Sequence, residues 1–289
     1  MFSGSMTAVV TPFRNGEVDY EAFGQLIEFQ VESGSDGIVP CGTTGESATL
    51  SHKEHDRVVE FAVEKAAGRI RVVAGAGSNS TTEALRLTRH AREVGADGAL
   101  VITPYYNKPT QKGMLAHFQR LADEGGIPLV LYNVPGRTGV RLQAETVAAL
   151  AGHENIVAIK EAGGSVDQVS RILNLCDITV LSGDDMLTLP MMSVGARGVV
   201  SVAANVVPDQ VSALVHAALD GAWDEARDLH YHLYDLFCGM FVETNPIPVK
   251  TCLARMGRIE EEFRLPICPP GEEARTKIGE LVQRYGLQT

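Results

Sequence analysis

The sequence predicts an α/β fold, a (β/α)8 TIM barrel over residues 1–221 followed by a small helical domain over residues 222–289. Two observations lead to this prediction. Short apolar runs rich in β-forming residues alternate eight times with longer helical patterns, as a series of βα units requires. The patterns after residue 222 are helical only, which separates them from the alternating part.

The eight runs are almost continuously apolar, as parallel strands covered on both faces must be. They lie at 6–10, 37–40, 71–74, 99–103, 129–134, 156–160, 178–182 and 198–202. Eight units in about 220 residues come close to the ~250 residues of a typical barrel of this kind. A doubly wound open sheet uses the same units but usually has about five or six strands.

The predicted helices have clear start and stop signals. They cover 20–32, 52–67, 81–94, 111–124, 143–150, 166–175, 185–194 and 209–219, then 223–240, 246–256 and 272–285. Ser51 and Glu54 fit a capping box at the start of the second helix. Helix C-caps are expected at Gly34, Gly68, Gly95, Gly125 and Gly195.

Composition excludes several classes of protein. Hydrophobic residues make up 45% and charged residues 21%, so the chain can bury a core. The net charge of −11 disfavours binding to nucleic acid or to an anionic membrane. Five scattered cysteines without a CxxC pair suggest neither a zinc site nor a disulfide framework. No signal peptide and no membrane span of ~20 apolar residues is expected, so we predict a cytoplasmic protein.

In such a barrel the functional residues lie where strands end and the following loops begin. The second strand runs into CGTTGE at 41–46, where backbone N–H groups and the hydroxyls of Thr43 and Thr44 suit a carboxylate. An ordinary tight turn is the alternative. After the fifth strand, Pro135 and Gly136 present Arg137, whose planar guanidinium suits a second carboxylate unless it is merely solvated. Tyr105 and Tyr106 follow the fourth strand, where packing residues are common.

Lys160 is the strongest single indication of function. It lies in the apolar sixth strand, and alternation places it on one face with Ile156 and Ala158, with Val157 and Ile159 facing the helices. Lysine is almost never fully buried without a purpose, and a desolvated amine is what imine chemistry needs. Tyr132, near the end of the neighbouring strand, could move protons there.

Other candidate motifs are weak. The segment GAGSNS at 75–80 lacks the third glycine and the later acidic residue of a dinucleotide fingerprint. His52 and His55 alone make a poor metal site, and no GxSxG motif suggests a serine hydrolase. The acids of SGDD at 182–185 are expected to cap the next helix.

Several motifs in the right order make the chain similar to the dihydrodipicolinate synthase family of pyruvate-dependent class I aldolases. They are GTTGES at 42–47, TPYYN at 103–107, YNVPGRTG at 132–139, IKEA at 159–162, SGD at 182–184 and NPIPVK at 245–250. The resemblance covers essentially the whole chain. It implies a homotetramer, a dimer of tight dimers, that needs no metal or organic cofactor.

The resemblance also implies roles for individual residues. Lys160 would form a Schiff base with pyruvate, and the enamine would attack L-aspartate-4-semialdehyde. The proton relay would consist of Tyr132, Thr43, Thr44 and, from a neighbouring subunit, Tyr106. Arg137 would hold the semialdehyde carboxylate. Pyruvate would contact Thr44, Gly183 and Val200.

Lysine-inhibited members of the family have an allosteric site at the tight dimer interface. All six of its positions match here, namely Ala48, His52, His55, Asn79, Glu83 and Tyr105. We therefore expect L-lysine to inhibit the enzyme.

Two alternatives remain. N-acetylneuraminate lyase and keto-acid aldolases share the lysine and the strand tyrosine, although Arg137 and the tyrosine pair favour the synthase. A non-catalytic keto-acid sensor could use the same barrel, but Lys160 and Tyr132 are both present.

Overall fold

Eight parallel strands close into a barrel in the computed structural model, which describes residues 2–287. The strands are β1 Gly4–Thr7, β2 Gly37–Ile38, β3 Arg71–Gly75, β4 Gly98–Ile102, β5 Leu129–Asn133, β6 Ile156–Glu161, β7 Thr179–Ser182 and β8 Gly198–Ser201. Each strand pairs with the next, and β8 pairs with β1 to close the barrel. The predicted (β/α)8 fold is therefore confirmed, with all eight strands close to their predicted positions.

A helix follows each strand, and three further helices follow the barrel in the part of the chain described, up to residue 287. The barrel helices are α1 Tyr20–Glu32, α2 His52–Ala66, α3 Thr81–Glu93, α4 Gln111–Gly125, α5 Ala144–Ala151, α6 Val166–Leu175, α7 Thr188–Ser193 and α8 Pro208–Leu219. The terminal helices are α9 Trp223–Gly239, α10 Ile247–Arg255 and α11 Glu272–Arg284. The domain boundary at 221/222 stays a prediction.

The capping box at the start of α2 is present as predicted. Glu54 N donates to Ser51 Oγ over 3.3 Å, and Ser51 N donates to Glu54 Oε2 over 2.8 Å. These bonds satisfy backbone donors that the first turn of a helix leaves free. They also determine where α2 begins, next to the loop that contains Thr43 and Thr44.

Two hydrophobic cores hold the barrel. The outer core lies between the strands and the helices. The inner core fills the barrel and consists of Phe2, Met6, Ala8, Val39, Val73, Leu100, Val130, Tyr132, Val134, Ala158, Leu181 and Val200. Tyr132 thus projects inward from β5.

The predicted alternation along β6 is wrong at its start. Ile156 belongs to the outer core, whereas Val157 packs against the inner one. The cause is a register shift, because Leu129 pairs with Ile156 but Val130 pairs with Ala158. One extra residue in a strand reverses the facing of every side chain before it. From Ala158 onward the predicted facing holds.

Local details also differ from the prediction. Two elements of the structure have no counterpart among the predicted ones. They are a hairpin of Phe13–Arg14 with Glu17–Val18 and a short helix over Pro135–Thr138. In addition, a 3-10 turn over Asp185–Leu187 precedes α7. Gly125 is the last residue of α4, where a Cβ would lie 2.6 Å from Thr88 Cγ2. Gly126, with φ +68, takes the cap position instead.

The acids after β7 do not cap their own helix. The side chain of Asp184, which precedes the 3-10 turn, makes no capping hydrogen bond. Asp185 Oδ2 instead accepts hydrogen bonds of 3.0 Å from the backbone N–H groups of Val202 and Ala203, at the end of β8.

Within residues 2–287, no helix is both long and apolar enough to cross a membrane.

Candidate active site

Lys160 and Tyr132 lie side by side inside the barrel. They are Cα partners on β6 and β5, and Lys160 Nζ is 4.4 Å from the centroid of the Tyr132 ring. Both side chains are buried, each with 6% of its surface exposed. The prediction that the two residues occupy neighbouring strand ends is therefore correct in geometry.

Gly183 leaves the space that the Lys160 side chain occupies. A Cβ at position 183 would lie 2.8 Å from Lys160 Cε and 2.7 Å from Ala162 Cβ. Contacts this short would force the lysine out of its position. The absence of a side chain at Gly183 thus has a structural reason, in addition to the pyruvate contact expected from the sequence.

A second lysine, Lys250, is buried even more completely than Lys160. Its Nζ lies 2.5 Å from Glu46 Oε1, and both side chains are almost fully inaccessible. Burial lowers the pKa of Lys250, while the Glu46 carboxylate opposes that shift. Lys160, in contrast, forms no ion pair with any carboxylate in the described part of the chain. An amine without an anionic partner is the better candidate nucleophile, because pairing favours the charged form of an amine.

Asn245, from the segment before α10, contacts two predicted site residues at once. Its Nδ2 donates to Thr44 Oγ1 over 2.9 Å, and its carbonyl oxygen accepts from Arg137 Nη2 over 3.2 Å. Its Oδ1 is buried without a hydrogen-bond partner among residues 2–287. The sequence motif at 245–250 contains this residue, but only the fold shows that it joins the threonine loop to Arg137.

The predicted relay is incomplete within one chain. Thr43 lines the cavity, and Thr44 is buried against Asn245. Among residues 2–287, neither threonine forms a hydrogen bond with the Tyr132 hydroxyl. Tyr106 is 88% exposed, with φ +73, and does not line the cavity of its own chain.

One cavity of about 430 Å³ extends from the barrel mouth to the predicted allosteric site. Eight predicted site residues line it, namely Thr43, Tyr132, Arg137, Ala48, His52, His55, Glu83 and Tyr105. Six others are not among its lining residues, namely Lys160, Thr44, Tyr106, Asn79, Gly183 and Val200. Lys160 instead lies against the Tyr132 ring, and Val200 belongs to the inner core.

The two histidines of α2 have different surroundings. His52 is exposed, and its Nε2 lies 2.8 Å from Glu83 Oε1, while Ser78 Oγ hydrogen bonds to Glu83 Oε2. These contacts lower the pKa of Glu83, and the hydrogen bond from Ser78 has the largest effect. Burial lowers the pKa of His55 to about 4. No group of three metal-binding side chains occurs among residues 2–287.

A parallel barrel with a buried, unpaired lysine beside a tyrosine has the architecture of a class I aldolase-type lyase, and the chain is an enzyme of that class. The family described as the dihydrodipicolinate synthetase family matches residues 1–285. The chain belongs to this family.

Relatives match along the full length of the chain. The 4-hydroxy-tetrahydrodipicolinate synthase of Geotalea uraniireducens is 55% identical over 289 residues, covering 99% of this chain and all of the relative. The crystal structure of the dihydrodipicolinate synthase of Aquifex aeolicus is 54% identical, has a TM-score of 0.98 and covers 99% of both chains.

Two further solved structures contain ligands. The chloride-inhibited dihydrodipicolinate synthase of Acinetobacter baumannii, in complex with pyruvate, is 41% identical with a TM-score of 0.97, over 99% of this chain and 100% of that one. The enzyme of Cyanidioschyzon merolae, with lysine bound, is 41% identical with a TM-score of 0.96, over 99% of both chains.

Proposed function

We propose that the enzyme condenses pyruvate with L-aspartate-4-semialdehyde through a Schiff base on Lys160, a committed step of lysine and diaminopimelate biosynthesis. The observation that carries the proposal is the buried, unpaired amine of Lys160 beside Tyr132. The pyruvate complex of the Acinetobacter baumannii relative supports pyruvate as the first substrate.

The reaction would begin when Lys160 Nζ attacks the ketone carbon of pyruvate. The carbinolamine loses water and becomes an imine, whose nitrogen withdraws electrons so that a methyl proton can leave. The resulting enamine carbon attacks the aldehyde carbon of the second substrate, and the aldehyde oxygen becomes a hydroxyl group. The substrate's own amine then attacks the imine carbon, closes the ring and releases Lys160.

Tyr132 is proposed to move protons between these intermediates, because its hydroxyl belongs to a ring whose centroid lies 4.4 Å from the amine. Thr43 and Thr44 would continue the relay and hold the pyruvate carboxylate. Tyr106 would complete the relay from a neighbouring subunit. Its high exposure and its position outside its own cavity support this role. This role requires a neighbouring subunit, and we propose a homotetramer built as a dimer of dimers.

Arg137 is proposed to bind the carboxylate of the semialdehyde. It lines the same cavity as Tyr132, and its hydrogen bond to the Asn245 carbonyl leaves most of its five N–H donors for a ligand. Gly183 and Val200 are proposed to contact pyruvate, although their backbone does not line the cavity of the single chain.

We also propose a cytoplasmic location, which cell fractionation can test.

L-lysine is proposed to inhibit the enzyme from the far end of the same cavity. Glu83 supplies a carboxylate for the ammonium group, and His52, His55, Ala48 and Tyr105 line the surrounding wall. Asn79 is proposed to bind the lysine carboxylate, and its backbone carbonyl accepts a 2.9 Å hydrogen bond from Asn107 Nδ2. The lysine-bound relative supports this assignment.

Borohydride trapping tests the proposed chemistry. Hydride reduces an imine to a stable secondary amine, so pyruvate plus borohydride should leave an irreversible 1-carboxyethyl group on the enzyme, with water lost in imine formation and two hydrogens gained on reduction. Peptide mapping should place this group on Lys160. Lys250 serves as an internal control, since it is buried but paired with Glu46. Adding the semialdehyde without borohydride should yield the cyclised product. Modification of another lysine, or of none, would contradict the proposal.

A further inference from the structure

The residues that follow Tyr132 and Lys160 form a second pair on the outer side of the barrel wall. Asn133 and Glu161 are Cα partners on β5 and β6, and both are fully buried. Asn133 Nδ2 lies 2.9 Å from Glu161 Oε2 and 3.2 Å from Oε1. Because successive side chains of a strand face opposite sides, this pair lies directly behind the Tyr132–Lys160 pair.

Two backbone N–H groups determine which member of the pair donates. Leu142 N donates to Asn133 Oδ1 over 2.9 Å, so the amide NH₂ must face Glu161. Gly163 N donates to Glu161 Oε1 over 2.7 Å. A Cβ at Gly163 would lie 2.5 Å from that oxygen, so a larger residue there would displace the carboxylate from this position. The pair therefore has one arrangement that satisfies every donor and acceptor.

Glu161 has no cation as a direct partner among the described residues. Burial raises the pKa of its carboxyl, and the hydrogen bonds from Asn133 and Gly163 oppose that shift. The charge of Arg141 also lowers the pKa of Glu161 but makes no direct contact with the carboxylate. Burial of a carboxylate without a contacting cation is expensive, and an apolar pair would fill the same space at lower cost. Stability alone therefore does not explain why this pair is present.

We propose that Asn133 and Glu161 form a positioning clamp that holds the ends of β5 and β6 in the register at which Tyr132 lies against Lys160. The inference rests on the proposed function, in which these two side chains carry out the chemistry. A displacement of 1 Å between reacting groups can lower a rate about 10²-fold. A clamp one residue from each of them controls that distance directly.

Exchanging the partners gives a sharp test. Glu161→Gln places two amide NH₂ groups face to face, and Asn133→Asp places two carboxylates face to face. In the double variant Asn133→Asp/Glu161→Gln, the new carboxylate at position 133 accepts from Leu142 N and from the new amide at position 161. The oxygen of that amide accepts from Gly163 N. The Leu142 carbonyl loses its 3.4 Å contact with Asn133 Nδ2 but keeps the 3.0 Å hydrogen bond from Gln168 Nε2. The hydrogen bonds between the two side chains and to the two backbone N–H groups are restored, without any change in the number of side-chain heavy atoms.

We expect each single variant to lower kcat and the rate of borohydride trapping at Lys160 at least tenfold, and the double variant to recover most of both. Thr7→Val is the matched control. It removes a buried 2.6 Å side-chain hydrogen bond to Gln30 at the end of β1, so it should lower the melting temperature and leave kcat unchanged.

Each outcome supports or overturns the clamp. Trapping of pyruvate by the single variants at the wild-type rate would overturn the clamp. A double variant whose kcat, trapping rate and melting temperature are no higher than those of the single variants would also overturn it. A rate loss in Thr7→Val equal to that in Glu161→Gln would also overturn it, since general destabilisation would then explain both. Failure of the wild type to trap pyruvate at Lys160 would instead refute the proposed function.

Discussion

Lys250 and Glu46 form a fully buried ion pair between residues that lie 204 positions apart in the chain. The Lys250 amine also lies 4.3 Å from the centroid of the Phe13 ring. This pair joins α10 to the loop that contains Thr43 and Thr44. It explains how the C-terminal helices contribute to a site otherwise built by the barrel.

Lys250→Met should destabilise the protein strongly, because it leaves the Glu46 carboxylate buried without its cation and with only the 3.3 Å hydrogen bond from Arg264 N. Such a change typically costs about 3–5 kcal/mol in the free energy of unfolding. The double variant Glu46→Leu/Lys250→Met should lose much less, since no charge remains buried. Urea unfolding of the wild type, the single variant and the double variant measures these losses in the free energy of unfolding. Equal losses in the single and double variants would show that the pair does not behave as a desolvated ion pair.

Loss of either tyrosine hydroxyl should slow catalysis. General acid–base catalysis typically contributes about 10²–10⁴-fold, so we expect losses of that order in kcat for Tyr132→Phe and smaller ones for Tyr106→Phe. Tyr231→Phe is the control, because Tyr231 is 71% exposed on α9. Steady-state kinetics and melting temperatures distinguish catalytic from structural effects. Wild-type kcat in both active-site variants would disprove the proton path.

Arg137→Ala should mainly impair use of the semialdehyde. Loss of a charge-assisted hydrogen bond costs roughly 1.5–3 kcal/mol, or about 10- to 150-fold in kcat/KM for that substrate. Imine formation with pyruvate should persist, because that carboxylate is assigned to the threonine loop. Arg171→Ala, which removes an exposed arginine of α6, is the control. A variant that lost pyruvate trapping but kept normal semialdehyde kinetics would reverse the two assignments.

Stability should fall as the pH drops below about 6.5. Burial lowers the pKa of both His55 and His117 to about 4 in the folded protein. The unfolded chain binds these protons near pH 6.5, so each histidine should cost about 2 kcal/mol between pH 7 and pH 5. His117→Asn should reduce this pH dependence, whereas the same substitution at the exposed His232 should leave it unchanged. Identical pH dependence in His117→Asn and the wild type would contradict the assignment.

The sequence is sufficient to predict the barrel because apolar runs and helix caps are local signals. Local signals also place Lys160 and Tyr132 on adjacent strands. Three features cannot be predicted from local sequence signals, because they depend on which distant segments meet. They are the Glu46–Lys250 pair, the Asn133–Glu161 pair and the contacts of Asn245. The register shift at Val157 is likewise a property of the pairing of β5 with β6 and not of β6 alone.

L-lysine should inhibit the enzyme, and Glu83→Ala should raise the inhibitory concentration at least tenfold, about 1.4 kcal/mol, with little change in uninhibited kcat. The reason is that Glu83 supplies the carboxylate for the ligand's ammonium group, in place of its present contact with His52. Because one cavity contains both Tyr105 and Tyr132, a ligand there can reach the relay. Glu93→Ala, an exposed acid on the same helix, is the control for lysine titrations at saturating pyruvate. If millimolar lysine leaves the wild type fully active, these residues are structural, and the regulatory assignment fails while the catalytic one stands.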